Sequence, residues 1–233
     1  MHRKDINERS PLRVLDQSIH GGLGRGNLGV VVARHGVGKT AFLVGVALDD
    51  LMRGRSVLHV SLEHSVDRVC DYYDEIFAEL AHSQALEDVW KVRLDVERNR
   101  RIHTYVEKEF GMAKLEEALS FLKDYGEFVP SAIMVDGLHF ERIEAADLTR
   151  LREIAREWNS EVWMSAVTHR AAERNERGVP EPVARLESSF DVILTMAHDG
   201  TTVDVGLRKD HDNPRIGELK LALDPTTMLL VRE

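Results

Sequence analysis

The apolar residues of the chain fall into short continuous runs that alternate with segments of helical periodicity. Runs of this kind are typical of strands buried on both faces, and they occupy residues 28–33, 56–61, 101–106, 131–136 and 161–166. Apolar residues three or four apart predict helices between the runs, over residues 39–53, 65–100 (two helices, broken near residue 82), 112–125 and 148–158. Strands that alternate with helices predict an α/β fold, in which helices flank a mainly parallel twisted sheet with right-handed crossovers.

The pattern changes after residue 166. Residues 168–189 are polar and carry both charge signs, which predicts a mobile surface loop. Short apolar runs with turn residues between them then predict hairpins, at residues 191–196, 201–208, 217–223 and 227–231. These hairpins would extend the sheet in antiparallel fashion. Because no internal repeat, low-complexity tract or linker occurs, we expect one domain over residues 1–233, with residues 1–14 as an N-terminal extension.

Composition narrows the class of protein. A chain of 233 residues with 43% hydrophobic residues can bury one core, and its net charge of −9 provides no general attraction to nucleic acid. The single cysteine, Cys70, has no partner for an internal disulfide, and the histidines show no metal-binding spacing. The N-terminus is not a signal peptide, and no apolar run approaches the ~20 residues of a membrane span. We therefore expect a cytoplasmic protein without a membrane partner.

The segment "VVVARHGVGKTAF" (residues 30–42) has the pattern of a phosphate-binding loop. Gly36 and Gly38 allow several backbone N–H groups to face one point at the start of a helix. Lys39 would contact the β- and γ-phosphates of a nucleotide, and the Thr40 hydroxyl would bind Mg²⁺. An ordinary glycine turn before a helix is the alternative, but the preceding buried strand and the following helix favour nucleotide binding. The predicted nucleotide-binding residues are Arg34, His35, Gly36, Val37, Gly38, Lys39, Thr40 and Ala41.

Two carboxylates follow predicted strands at the edge of the sheet where open α/β folds bind ligands. Asp136 ends the run 131–136 and would bind Mg²⁺ together with Thr40, although a turn aspartate before Gly137 is the alternative. Glu63 follows the run 56–61 and could orient and deprotonate a water that attacks the γ-phosphate. Its alternative interpretation is a glutamate in the first turn of a helix, where acidic residues are favoured.

The motif "GGLGRGNLGVVVARHGVGKTAF", followed by "VLHVSLEHS", resembles the RecA-like ATPase core of the DnaB-type replicative helicases, and more loosely the KaiC and RecA branches. DnaB-type cores have alanine-arginine-proline before their glycine-lysine-threonine, and their next strand ends in serine-leucine-glutamate. Ala33 and Arg34 are thus a family variant, with His35 where proline is usual. The resemblance implies ATP and Mg²⁺ as ligands, Glu63 as the catalytic glutamate, and a homo-oligomer with ATP between subunits. It is strong over residues 21–65, moderate at Asp136 and thin afterwards.

The chain departs from that family at the end of the fifth predicted strand. The family has a glutamine after the serine, where it senses the γ-phosphate, whereas Ser165 is followed by Ala166. Thr168 or His169 could replace the glutamine, or either could be an ordinary polar residue at a strand end. The helical domain and linker helix of the helicases have no counterpart in the 233 residues, so a complete replicative helicase is not expected.

The segment 168–189 corresponds to a loop through which helicase cores contact DNA. Its four arginines are balanced by four glutamates, and it lacks an aromatic residue that could stack on bases. A solvated loop is therefore favoured over a site for single-stranded DNA.

The resemblance also suggests catalytic residues that act on the ATP of a neighbouring subunit. DnaB-type cores carry a lysine-any-arginine motif on a C-terminal strand, and in this chain Lys209 falls on the lysine and His211 on the arginine. Histidine would be a weaker clamp than the bidentate guanidinium of arginine. The alternative is that "DHDNP" is a plain turn with a solvated His211.

Three functions fit these features. The first is a slow ATPase whose hydrolysis drives conformational change in an oligomer, in DNA transactions or on an unidentified protein client. The second is a KaiC-like nucleotide-binding switch or scaffold with little or no hydrolysis and no DNA binding, which the missing glutamine favours. A small-molecule kinase is disfavoured, because the only arginine-rich segment is interleaved with glutamates.

Overall fold

The computed structural model describes residues 1–106, 109–198 and 200–232. The strands in this part of the chain are β1 (Leu28–Ala33), β2 (Val57–Ser61), β3 (Arg100–Thr104), β4 (Ala132–Asp136), β5 (Glu161–Val167), β6 (Val192–His198), β7 (Val203–Asp210), β8 (Leu221–Leu223) and β9 (Leu230–Arg232). They form one sheet in the order β3–β2–β4–β5–β1–β6–β7–β8–β9. Strands β1 to β6 pair in parallel, and β6 to β9 pair antiparallel. The predicted α/β class and its antiparallel C-terminal extension are confirmed.

Helices cover both faces of this sheet. They are α1 (Arg3–Arg9), α2 (Leu12–Ser18), α3 (Lys39–Met52), α4 (Val66–Ser83), α5 (Val89–Asn99), α6 (Met112–Gly126) and α7 (Ala145–Glu157), and a short 3-10 helix spans Ala184–Ser189. Helices α1 to α5 contribute to one core cluster, which holds Phe42 and Trp163. Helices α6 and α7 contribute to a second cluster on the other face, which holds Leu151 and Phe190. With helices on both faces, every residue of β1 is buried.

The central strand contains a glycine because an aromatic ring lies directly against it. A Cβ at Gly29 would come within 2.6 Å of the Trp163 ring on the adjacent strand β5. The ring of Trp163 also makes an edge contact with Phe42 of α3, at 6.3 Å between centroids. This contact fixes α3 against the sheet, and α3 is the helix that begins at the predicted phosphate loop.

Most element boundaries lie close to those predicted from the sequence. The main additions are α1 and α2, two seven-residue helices within a stretch for which the sequence predicted no element. In the segment 168–189, the side chains of Val179, Val183 and Leu186 are buried in the second core cluster. The mobility of that segment stays a prediction. Among the residues that the structure describes, no helix has the length and apolar character needed to span a lipid bilayer.

Candidate functional site

The predicted phosphate loop lies between the carboxyl end of β1 and the first residue of α3. Gly36 and Gly38 both have positive φ, at 74° and 110°, a region that glycine enters without strain. A Cβ at Gly38 would also come within 2.4 Å of the Leu223 side chain. Both glycines are therefore required by the backbone, and the loop has the curvature that turns consecutive N–H groups inward.

Asp136 lies beside this loop at the end of β4, where its carboxylate is almost fully buried. Its Oδ2 accepts a hydrogen bond from the Thr40 hydroxyl at 2.7 Å, and its Oδ1 accepts one from the Ser165 hydroxyl at 2.6 Å. The Ser165 oxygen in turn accepts a hydrogen bond from the backbone N–H of Gly137 at 2.9 Å. The predicted pair Thr40 and Asp136 is thus in direct contact, and Ser165 holds the second carboxylate oxygen in place.

Lys39 lies between the loop and two carboxylates. Only 7% of the residue is exposed, and its Nζ donates to the backbone oxygen of Arg34 at 3.3 Å. Burial lowers the pKa of Lys39, and the negative charges of Glu63 and Asp136 act in the opposite direction. A cation that is removed from water and faces two carboxylates is well placed to attract a phosphate group.

Glu63 lies next to Asp136 because the exits of β2 and β4 are bonded to each other. The backbone N–H of Leu62 donates to the Asp136 carbonyl at 2.9 Å. A Cβ at Gly137 would come within 2.5 Å of Glu63 Cγ, so the Glu63 side chain packs directly over that glycine. The N-cap of α4 is Ser65, whose hydroxyl oxygen accepts a hydrogen bond from the N–H of Arg68. Glu63 is therefore not the N-cap of α4.

A cleft of about 330 Å³ joins the loop to these side chains. Its lining comprises His35, Gly36, Val37, Gly38, Lys39, Thr40, Ala41, Glu63, His64, Tyr72, His198, Leu223, Pro225 and Met228. The last three residues come from the C-terminal hairpins, and Tyr72 comes from α4. Sequence reasoning missed all four, because their position at the cleft depends on the tertiary fold.

Two residues considered as replacements for the missing glutamine occupy different environments. Thr168 is buried, and its hydroxyl donates to the Glu181 carbonyl at 2.6 Å, so that hydroxyl is already used within the chain. His169 is exposed, with Nε2 lying 3.5 Å from a Glu141 oxygen. Ala166 is fully buried in the second core cluster. The residue after Ser165 therefore faces the core.

Lys209 and His211 lie at the opposite edge of the sheet from the phosphate loop. Lys209 pairs with Ile193 near the start of β6, and its Nζ donates to the Glu187 carbonyl at 3.0 Å. His211 has Nδ1 at 2.8 Å from the Asp210 carboxylate and Nε2 at 3.0 Å from the Leu23 carbonyl. Two acceptors favour the doubly protonated imidazolium, and its hydrogen bonds raise the pKa of His211 against the effect of burial. The single chain does not bring either residue to its own cleft.

The oxygen atoms at the cleft fit a magnesium ion better than a transition metal. Magnesium is usually held by one or two protein oxygens together with phosphate oxygens and water, and Thr40 and Asp136 provide a hydroxyl and a carboxylate in contact. No cluster of three or more histidine, cysteine or acidic side chains suited to a metal occurs in the described part of the chain. Thr40 and Asp136 are therefore the residues that would hold Mg²⁺.

Comparison with known proteins supports the fold. No protein-family model and no curated protein sequence matches the chain. Among solved structures, the ATPase domain of a DnaB-like helicase is similar with a TM-score of 0.69 and 18% sequence identity, over 95% of this chain and 89% of that one. Identity this low is informative about fold alone. The chain has the RecA-like α/β fold of that ATPase domain.

Proposed function

We propose that the protein is an ATPase that binds Mg²⁺ and ATP in the cleft at the phosphate loop and hydrolyses the γ-phosphate. The observation that carries this proposal is the convergence of Thr40, Asp136 and Ser165 in one hydrogen-bonded chain beside Lys39. A buried lysine next to a hydroxyl–carboxylate pair at the start of a helix is the arrangement that phosphate binding requires. The RecA-like fold shared with the helicase ATPase domain supports the same function.

Hydrolysis would use groups that this chain supplies. Glu63 would orient a water molecule and take its proton as the water oxygen bonds to the γ-phosphorus and the bond to the ADP oxygen breaks. Lys39 and the loop N–H groups would stabilise the phosphate oxygens. When bound by Thr40 and Asp136, Mg²⁺ would neutralise charge on the β- and γ-phosphates. ATP and ADP are the expected ligands.

We further propose that the active form is a homo-oligomer, in which Lys209 and His211 of one subunit approach the cleft of the next. Both residues lie at the sheet edge opposite the loop, the position that a head-to-tail arrangement of subunits would use. The hydrogen bonds of Lys209 to Glu187 and of His211 to Asp210 and Leu23 would have to open for such contact. Turnover by dilute protein should therefore be slow.

A second candidate is a nucleotide-binding switch or scaffold with little hydrolysis. Two observations favour it: Ala166 is buried where the resembled family has its sensor glutamine, and Lys209 and His211 are bonded within their own chain. Under this alternative, nucleotide would promote assembly or recruit a protein client without rapid turnover. Single-stranded DNA remains a disfavoured partner, since described arginines in the segment 168–189 make contacts within the chain.

Phosphate release by concentrated wild-type protein, compared with Lys39→Ala, tests the proposed function. The exposed Lys4→Ala is the matched control, because its side chain lies on α1 away from the cleft. We expect measurable turnover in wild type and Lys4→Ala, and loss of both nucleotide binding and turnover in Lys39→Ala. Nucleotide binding without turnover would favour the switch, and equal turnover in all three proteins would refute a site at the phosphate loop.

A further inference from the structure

A second recess adjoins the nucleotide cleft and shares part of the phosphate loop with it. This basic recess has a volume of about 460 Å³ and is lined by Arg34, His35, Gly36, Val37, Val167, Thr168, His169, Arg170 and His198. Three of its residues, His35, Gly36 and Val37, also line the cleft that holds Lys39. A ligand bound at the loop could therefore extend from the cleft into the basic recess.

The basic recess collects positive charge in a chain that is acidic overall. Two arginines and three histidines line it, and no carboxylate does so among the described lining residues. Within the described ranges, neither the Arg34 nor the Arg170 side chain makes a hydrogen bond or ion pair. Other arginines of the same segment are engaged: Arg177 pairs with Glu187, and Arg185 donates to the Phe140 carbonyl. Two unengaged guanidinium groups in one concavity present charged donors suited to a phosphate group.

Backbone and side-chain contacts fix the basic recess relative to the catalytic residues. The carbonyl of Arg34 accepts a hydrogen bond from the Nζ of Lys39, so the first residue of the loop touches the buried lysine. The N–H of Thr168 donates to the Ala33 carbonyl at 3.0 Å, which joins the end of β5 to the end of β1. Arg170 thus follows a strand end that is anchored on both sides, by this contact and by the Thr168 hydroxyl on Glu181.

We propose that the basic recess binds the γ-phosphate of the nucleotide through Arg34 and Arg170 of the same chain. The loop and Lys39 serve the phosphates that ADP and ATP share, whereas the two guanidinium groups lie beyond the loop, where only a triphosphate extends. The site would therefore distinguish ATP from ADP without a neighbouring subunit. This inference rests on the proposed function, because it requires the nucleotide to occupy the cleft.

Equilibrium binding of ADP and of the non-hydrolysable ATP analogue AMP-PNP, both with Mg²⁺, tests this assignment. The proteins are wild type, Arg34→Ala, Arg170→Ala and Arg170→Lys, with Arg174→Ala as a matched control from the same segment that does not line the recess. We expect Arg34→Ala and Arg170→Ala each to weaken AMP-PNP binding by roughly 10- to 100-fold. Their ADP affinity should stay within about twofold, Arg170→Lys should recover part of the loss, and Arg174→Ala should behave as wild type.

The other outcomes overturn the proposal in distinguishable ways. Equal loss of ADP and AMP-PNP affinity would show that the arginines support the loop as a whole, and unchanged affinity for both would show that they contact no phosphate of the nucleotide. If Arg170→Ala weakened binding of an oligothymidylate instead, the basic recess would be a nucleic-acid contact. A wild-type protein that binds neither nucleotide would refute the proposed function itself, and the assignment of the recess with it.

Discussion

The hydroxyl of Ser165 donates to Oδ1 of Asp136 at 2.6 Å, while the Thr40 hydroxyl occupies Oδ2 of the same carboxylate. Ser165 lies on β5 and Asp136 at the end of β4, so the contact joins neighbouring strands of the sheet. It orients a buried carboxylate that would otherwise rotate about its Cα–Cβ bond. Ser165 is thus a positioning residue for the group that would hold Mg²⁺.

Removing the Ser165 hydroxyl should therefore lower turnover more than nucleotide affinity. In Ser165→Ala we expect phosphate release to fall by roughly tenfold or more, since a hydrogen bond to a charged group contributes about 1.5–3 kcal/mol. The matched control is Ser160→Ala, another fully buried serine, whose hydroxyl donates to the Pro130 carbonyl away from the cleft. Thermal unfolding and phosphate release, measured on both variants, separate the effects. If Ser160→Ala loses as much turnover as Ser165→Ala, the effect is general destabilisation.

A second prediction concerns stability at the amino edge of the sheet. Burial raises the pKa of Glu161 to about 7, with the nearby carboxylate of Asp50 acting in the same direction and Arg55 and Arg25 opposing it. The folded protein therefore holds this proton more tightly than the unfolded chain does. Its contribution to stability is present at low pH and is lost as the pH rises from about 4.5 to about 7.

Replacing Glu161 by glutamine should remove that loss. We expect Glu161→Gln to raise the free energy of unfolding at pH 8 by up to about 3 kcal/mol and to change it little near pH 4.5. Chemical denaturation between pH 4.5 and pH 8 measures this, with the exposed Glu157→Gln on α7 as the control. A benefit that is the same at both pH values would mean that the Glu161 charge is not the cause.

A third prediction concerns a site shared between subunits. If Lys209 acts on the neighbouring cleft, Lys209→Ala should lower turnover by at least about tenfold, and Glu63→Gln should lower it as well. Mixing the two inactive variants should restore part of the activity, because some interfaces then combine an intact Glu63 with an intact Lys209. Mixtures that stay as inactive as either variant alone, together with a wild type that is active as a monomer, would contradict the shared site.

Parts of this structure could be predicted from short stretches of sequence, and others could not. The phosphate loop and Asp136 were predictable, because an apolar strand followed by glycines or by a carboxylate is a local pattern. The role of Ser165 depends on β5 lying beside β4, which follows from strand order rather than spacing. Leu223 reaches the loop from about 180 residues further along the chain. Helix α1 escaped prediction because seven residues with one buried side chain, Ile6, show no periodicity.

The segment 168–189 shows a related limit. Its alternating charges predict a solvated loop, and many of its residues are indeed exposed. The apolar residues Val179, Val183 and Leu186 are spaced too irregularly to predict an element, yet they are buried in the second core cluster. Composition described the surface of this segment correctly, whereas its buried contacts depend on the tertiary fold.

The most direct test of the proposed ATPase is single-turnover phosphate release by Glu63→Gln, with nucleotide affinity measured on the same protein. Glutamine keeps the size of the side chain beside Gly137 but cannot accept the proton of the attacking water. We predict unchanged affinity for ATP with Mg²⁺ and phosphate release slowed by roughly 100-fold or more. Equal rates in Glu63→Gln and wild type, at equal nucleotide affinity, would contradict a catalytic role for Glu63 and with it the proposed mechanism.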